Sequence, residues 1–135
     1  MSKLTSGRTS VLIADKNAHM RRIVRYMLNS LRIKDVYEAQ DGGEALEFYE
    51  AFQPTILICD WELPMMTGLE IWELLRFQEA GAPAMIMMGD RSRRDCIKKL
   101  VDAGIPAYLR KPFSTKDLGE RINTLLNRGG MRLTA

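Results

Sequence analysis

Histidine is almost missing from this chain, cysteine occurs only twice, and no apolar run approaches the ~20 residues of a membrane span. The single histidine, His19, has no serine, cysteine or metal-ligating neighbour at a useful spacing, so it reads as structural. Cys59 and Cys96 show neither metal-site nor disulfide spacing, which suits a reducing cytoplasm. The first ten residues are polar and carry no secretory-type apolar stretch, so export is not expected. Neither does charge of one sign dominate. The formal net charge of +3 is too small to argue for nucleic acid, and where the positive charge sits matters more than its sum.

What remains is an ordinary globular composition, 46% hydrophobic and 27% charged, in 135 residues, enough for one domain with one three-layer core. Five short apolar runs, residues 11–14, 36–39, 56–59, 84–88 and 107–109, alternate with helical patterns. Three of the runs are nearly all apolar, as strands covered on both faces should be. After the first, Met20, Ile23, Val24, Met27, Leu28 and Leu31 recur at three and four residues while Arg21, Arg22 and Arg25 fall opposite, which predicts an amphipathic helix. A second helix is marked by Ala45, Leu46 and Tyr49 after Asp41-Gly42-Gly43, and a third by Ile71, Leu74 and Leu75 between Gly68 and Gly81. Ile97, Leu100 and Val101, closed by Gly104, mark the fourth, and Leu118, Ile122, Leu125 and Leu126 the fifth. Strand and helix thus alternate five times, which predicts an α/β fold with a parallel sheet, right-handed crossovers and helices on both faces. Residues 1–9 and 129–135 read as loose ends around a domain at 10–128.

In such a sheet, function collects at the carboxyl ends of the strands. Asp15 and Lys16 follow the first run, Asp60 the third, Gly89 and Asp90 the fourth, and Lys111-Pro112 the fifth. A single charge there would mean little, since strand ends are solvated. Two carboxylates and a lysine converging on one rim cost stability unless they meet an anion, a metal or one another.

Val11-Leu12-Ile13-Ala14-Asp15, Met20-Arg21-Arg22-Ile23-Val24-Arg25, Cys59-Asp60-Trp61-Glu62-Leu63-Pro64, Thr67-Gly68 and Lys111-Pro112-Phe113 together resemble the receiver domain of bacterial response regulators, over nearly the whole chain. The Met-Arg-Arg-Ile-Val-Arg run and the Asp-Trp pair resemble its chemotaxis, CheY-like branch. The resemblance implies a flavodoxin-like, doubly wound (βα)5 sheet, a phosphoryl acceptor at Asp60 and a phosphate-pairing ammonium at Lys111. It also implies a magnesium site from the acidic pair after strand one, Asp60 and the Glu62 carbonyl, and a strand-four hydroxyl that couples the acceptor to an aromatic on strand five, here Tyr108. Phosphoryl transfer spreads negative charge, which a hard cation and an ammonium neutralise.

Two of these parts are altered. Alignment on Met20-Arg21-Arg22 puts Asp15 at the first acidic position but Lys16 at the second. An ammonium repels Mg²⁺, so the metal site is weakened; the lysine is placed either to stand in for the cation by pairing with Asp60 or to point into water. Counting from Pro83, the hydroxyl position falls on Met88, which has no donor to offer, the next hydroxyl being Ser92. Immediately beyond lies Gly89-Asp90-Arg91-Ser92-Arg93-Arg94-Asp95. Ser92 with Asp95 reads as a capping box, but Arg91, Arg93 and Arg94 in a first helical turn oppose the macrodipole. An anion resolves the conflict, because helix amides and guanidiniums bind phosphate and arginine also reads or stacks on guanine. This segment resembles the arginine-rich segment of CheY-like proteins that act as cyclic di-GMP effectors on the flagellar motor, which implies a nucleotide site at Asp90, Arg91, Arg93, Arg94 and Asp95.

The leading expectation is therefore a cytoplasmic, non-enzymatic effector that takes cyclic di-GMP and relays it to a protein partner, such as a flagellar motor switch component, through helix four, strand five with Tyr108, and helix five. The competitors are an ordinary phospho-acceptor, labelled on Asp60 by a histidine kinase with Mg²⁺, and a constitutive adaptor frozen by a Lys16–Asp60 pair. DNA binding is the weakest option, since one arginine cluster is a small electrostatic footprint. Membrane insertion is not expected. Cys59 should be buried and inert.

Overall fold

The five apolar runs form five parallel strands of one sheet. The computed structural model describes residues 9–79, 81–90 and 94–128, with the backbone alone at 94–96. Chain order is β1 (Ser10–Ala14), α1 (Ala18–Ser30), β2 (Asp35–Ala39), α2 (Gly42–Phe52), β3 (Ile56–Asp60), α3 (Gly68–Leu75), β4 (Ala84–Gly89), α4 (Arg94–Asp102), β5 (Ala107–Arg110) and α5 (Thr115–Arg128). The strand order β2-β1-β3-β4-β5 is the doubly wound, flavodoxin-like order that the resemblance implies. The loose ends expected at 1–9 and 129–135 lie outside the described residues, apart from Thr9.

Each strand extends past its apolar run by a polar residue or a glycine. The reason is that ladder pairing needs only backbone. Ser10 continues β1 because its amide and hydroxyl exchange hydrogen bonds with Thr55 (3.2 Å to Thr55 Oγ1 and 3.1 Å from the Thr55 N–H), so the polar start of the strand is satisfied. At the other end Asp60 pairs in register with Met88, and Gly89 with Arg110.

Alternation along the strands divides the interior in two. Val11, Ile13, Ile58, Ile86 and Met88 face α1 and α5, whereas Leu12, Leu57, Cys59, Met85 and Met87 face the layer of α2, α3 and Leu100 of α4. Helix α1 docks through Val24 and Leu28, both fully buried, each worth about 2 kcal/mol of burial. Its start is set by Asn17, whose side chain accepts from the His19 and Met20 amides. Asp41 caps α2, Thr67 and Glu70 form a capping box on α3, and Ser114 and Asp117 exchange the same pair of bonds at α5. Trp72 packs inside, with its indole N–H on the Ala103 carbonyl at 2.7 Å. Among the described residues no helix is long and apolar enough to cross a membrane.

The loop that carries the residues after Asp60 is pinned to α2 at Gly42, whose N–H donates to the Pro64 carbonyl at 2.9 Å. A Cβ there would lie 2.2 Å from the Met66 carbonyl oxygen and 2.5 Å from Met66 Cβ. Backbone cannot step aside cheaply, so Gly42→Ala is expected to cost about 3 kcal/mol, read as a lower urea midpoint by tryptophan fluorescence. An unchanged midpoint would mean that the loop is free to move.

Candidate functional site

Three strand ends deliver the rim. Asp15 follows β1, Asp60 ends β3 and Lys111 follows β5, so side chains distant in sequence meet where the sheet stops. The Lys111 ammonium lies between the two carboxylates, 2.9 Å from Asp15 Oδ2 and 2.5 Å from Asp60 Oδ2. The remaining oxygens are also engaged: Asp15 Oδ1 accepts from the Asn17 N–H and Asp60 Oδ1 from the Glu62 N–H, each at 2.8 Å. Backbone bonds hold the frame, with the Lys111 N–H on the Gly89 carbonyl (2.7 Å) and the Trp61 N–H on the Met88 carbonyl (2.9 Å).

Burial decides the electrostatics. Asp15, whose side chain is 1% exposed, has its carboxyl pushed above the usual range by desolvation, against the Asn17 amide and Lys111, with the Asp60 charge adding to the rise. Burial alone would push Lys111 down, but the hydrogen bonds and charges of Asp60 and Asp15 outweigh it and hold the ammonium above its ordinary value. Cys59, one residue before Asp60, is fully buried, and burial first, then the Asp60 and Asp15 charges, push its thiol far up. It is inert as a nucleophile.

Lys16 is exposed, and among the described residues no ion pair joins it to Asp60. Of the two alternatives for Lys16 the structure has the one that points into water: Lys111, which arrives along β5 with its stem covered, is the ammonium on Asp60, and burying a second one beside it would add a further desolvation cost. The constitutive-adaptor reading loses its basis with that pair. Lys16 does border the open cavity of about 560 Å³ above the rim, together with Asp15, Asp60, Glu62, Asp90 and Lys111. The far wall of the cavity is apolar, made by Met20, Ile23, Met27 and Phe113.

The donor set does not suit a resident Mg²⁺. Magnesium takes near-octahedral oxygen ligation. Here the Lys111 ammonium sits between the two carboxylates, where a cation would have to come, and among the described residues no three acidic, histidine or cysteine side chains converge. Glu62 is exposed and offers the rim its N–H.

Met88 is fully buried on the face that Asp60 shares, directly beside it in the ladder, among Leu109, Phe113 and the α1–α5 core. Its thioether offers Asp60 no hydroxyl. On the opposite face of β5, Tyr108 is half-buried and lies over Gly89, where a Cβ would stand 2.8 Å from the phenol oxygen. The Tyr108 carbonyl accepts from Arg121 Nε of α5 at 3.1 Å.

Of the nucleotide residues expected from the sequence, Asp90 opens onto the cavity above the rim. Arg91 and Arg93, with Ser92, lie outside the described residues, and Arg94 and Asp95 are described only as backbone of α4. Sequence reasoning missed Asn17 and Arg21. Arg21 donates from Nη1 to the Asp15 carbonyl at 2.6 Å and from Nε to Glu38 Oε1 at 2.9 Å, bracing the β1 end. Burial pushes the Glu38 carboxyl up, but its bonds to Arg25 and Arg21 outweigh this and hold it below the usual range. The signal for Asn17 was present, since an asparagine before an apolar-periodic run is a cap.

The family model described as the response regulator receiver domain matches residues 11–123. The chain is 32% identical over 119 residues to chemotaxis protein CheY of Pseudomonas aeruginosa, covering 87% of this chain and 96% of that protein. It is 28% identical over 129 residues to chemotaxis protein CheY-3 of Vibrio cholerae, covering 95% and 99%. Among solved structures, the Francisella response regulator 1452 receiver domain superposes with a TM-score of 0.80 at 27% identity, over 90% of this chain and 99% of that one. Vibrio cholerae CheY4 gives 0.78 at 26%, over 88% and 99%.

Proposed function

Because this chain belongs to the response regulator receiver domain family and is CheY-like, we propose that it is a non-enzymatic cytoplasmic relay whose phosphorylation switch is degenerate and whose input is cyclic di-GMP. The ligand is taken by Asp90, Arg91, Arg93, Arg94 and Asp95 at the start of α4. It is passed to a protein partner through α4, β5 with Tyr108, and α5. Relatives named as chemotaxis proteins support a partner in the flagellar motor.

The observation that carries the reading is Met88: buried beside Asp60 and without a hydroxyl, it leaves a phosphorylated acceptor no donor with which to move Tyr108. The exposed Lys16 and the engaged carboxylate oxygens support weakened Mg²⁺ binding as well. Calorimetry tests the proposal. Cyclic di-GMP is expected to bind in the micromolar range or tighter, and the Arg93→Ala, Arg94→Ala double variant to lose it. Undiminished binding by that variant would overturn the assignment.

A second reading is favoured by one observation, the intact Asp60–Lys111 pair at 2.5 Å. In it the chain is an ordinary acceptor, labelled on Asp60 by a histidine kinase. A Trp61 fluorescence response to Mg²⁺ with beryllofluoride, lost in Asp60→Asn, would favour that reading over the first.

A further inference from the structure

Helix α1 has an outer face that neither the rim nor the arginine segment uses. Arg22, Arg25, Tyr26 and Asn29 stand at i, i+3, i+4 and i+7, one stripe of the helix. Facing them is the chain that enters the edge strand β2. Together the two banks enclose an open hollow of about 340 Å³, with Ile33 and Val36 beneath and Lys34 on the far side. A hollow of this size is within the range of real ligand sites.

Three features define what would fit. First, its cations are of two kinds. Arg25 is locked, with Nε on Glu38 Oε2 at 2.8 Å and Nη2 on the Val36 carbonyl at 3.1 Å. Arg22 and Lys34 are exposed, and among the described residues neither is joined to an acid. Second, Tyr26 is 73% exposed, a large aromatic surface standing in water between those cations. Third, the floor is apolar while the free charges stand on opposite banks, one on α1 and one ahead of β2.

We propose that this hollow docks an acidic peptide segment of a partner protein. Its carboxylates would meet Arg22 and Lys34, and an apolar side chain between them would cover Ile33, Val36 and the Tyr26 ring. Charge complementarity selects an anion, and the spacing selects this one. A compact phosphate is held by several donors converging from one side, often amides of a helix N-terminus. Here the lining residues of α1 come from the body of the helix, and the free cations are divided between two elements. Strand addition is disfavoured too, because Arg25 already occupies the Val36 carbonyl of the edge strand. The segment is therefore held by side chains, as in helix-in-groove or extended-peptide recognition with an apolar anchor and charged flanks. This surface stands apart from α4 and β5, so it does not depend on the nucleotide reading.

The test uses the full chain and a fluorescein-labelled synthetic peptide of alternating glutamate and leucine, followed by anisotropy and by amide shifts in NMR. Binding is expected to shift amides of residues 22–36, to weaken with added salt, and to weaken by at least about tenfold in the Arg22→Glu, Lys34→Glu variant. Both positions are exposed, so the variant should fold, which its unchanged thermal midpoint would verify. The proposal is overturned if charge reversal leaves the affinity unchanged, or if a glutamate–serine peptide binds as well as the glutamate–leucine one. It is also overturned if inorganic pyrophosphate shifts the same amides and the peptide does not.

Discussion

Lys16→Asp is expected to raise the affinity for Mg²⁺ by about a hundredfold at low ionic strength. Two unit charges at about 6 Å interact by about 0.7 kcal/mol even in a medium as polarisable as water. A dication doubles that, and changing an ammonium into a carboxylate reverses its sign, for a swing of about 2.8 kcal/mol, or two decades in affinity. The position suits the change, since Lys16 is exposed and borders the same cavity as Asp15, Asp60 and Glu62. A third carboxylate would also supply an oxygen not already engaged by Lys111 or a backbone amide. Titration of Trp61 fluorescence with MgCl₂ measures it, because Trp61 follows Asp60 directly and its N–H is fixed to the Met88 carbonyl. If wild type and variant bind equally, Lys16 is not what weakens the site. Salt should erode the difference, since the lysine is screened by water.

The other large effect concerns Lys111. Its ammonium is the shared partner of two buried carboxylates, so Lys111→Met leaves them facing each other without compensation. Removing one member of such a buried set costs about 3 kcal/mol. The loss should be readable as a lower urea midpoint, and it should depend on pH. The Asp15 carboxyl is already held above its ordinary value of 3.8 by burial, so its ionised form opposes folding. As pH falls through the folded-state value towards 3.8, that carboxyl becomes neutral and the opposition fades. The variant is therefore expected to recover part of its stability on mild acidification, and Asp15→Asn in the same background to recover it at neutral pH. In the wild type the Lys111 contribution has the other sign. It is complete below the ordinary lysine value of 10.5 and is lost as pH rises through the higher folded-state value. A variant whose stability is flat between pH 4 and pH 7 would show that water reaches the carboxylates freely.

The rim was legible in the residues because strand ends are easy to find when strands are covered on both faces. Three of the five apolar runs stop at Asp15, Asp60 or one residue short of Lys111's approach, and the fold carries those ends together. Lys111 was legible as the pairing ammonium; what could not be read was whether Lys16 also reaches Asp60 or points into water. Lys16 is adjacent to Asp15 in the chain, yet exposure, not adjacency, decides, and exposure depends on how β5 brings Lys111 across. Strand limits were missed by a residue for a similar reason. Hydropathy stops short of Ser10, Asp35, Asp60, Gly89 and Arg110, but the ladder does not. The α1–β2 hollow was invisible for a third reason: Arg22 and Arg25 read as the wet side of an amphipathic helix, and only the neighbouring Lys34 and Val36 turn that side into a recess.

The contact between Gly89 and Tyr108 also constrains how this chain can change. A side chain at position 89 and a tyrosine leaning inward at 108 compete for the same space, since a Cβ would stand 2.8 Å from the phenol oxygen. The two positions are thus tied along any mutational path. A substitution at 89 made first displaces the ring and alters the outer face of β5, whereas a smaller residue at 108 made first opens room for 89 but removes the tyrosine from that face. Either first step changes that surface, so glycine at 89 and tyrosine at 108 are held together wherever the surface is under selection.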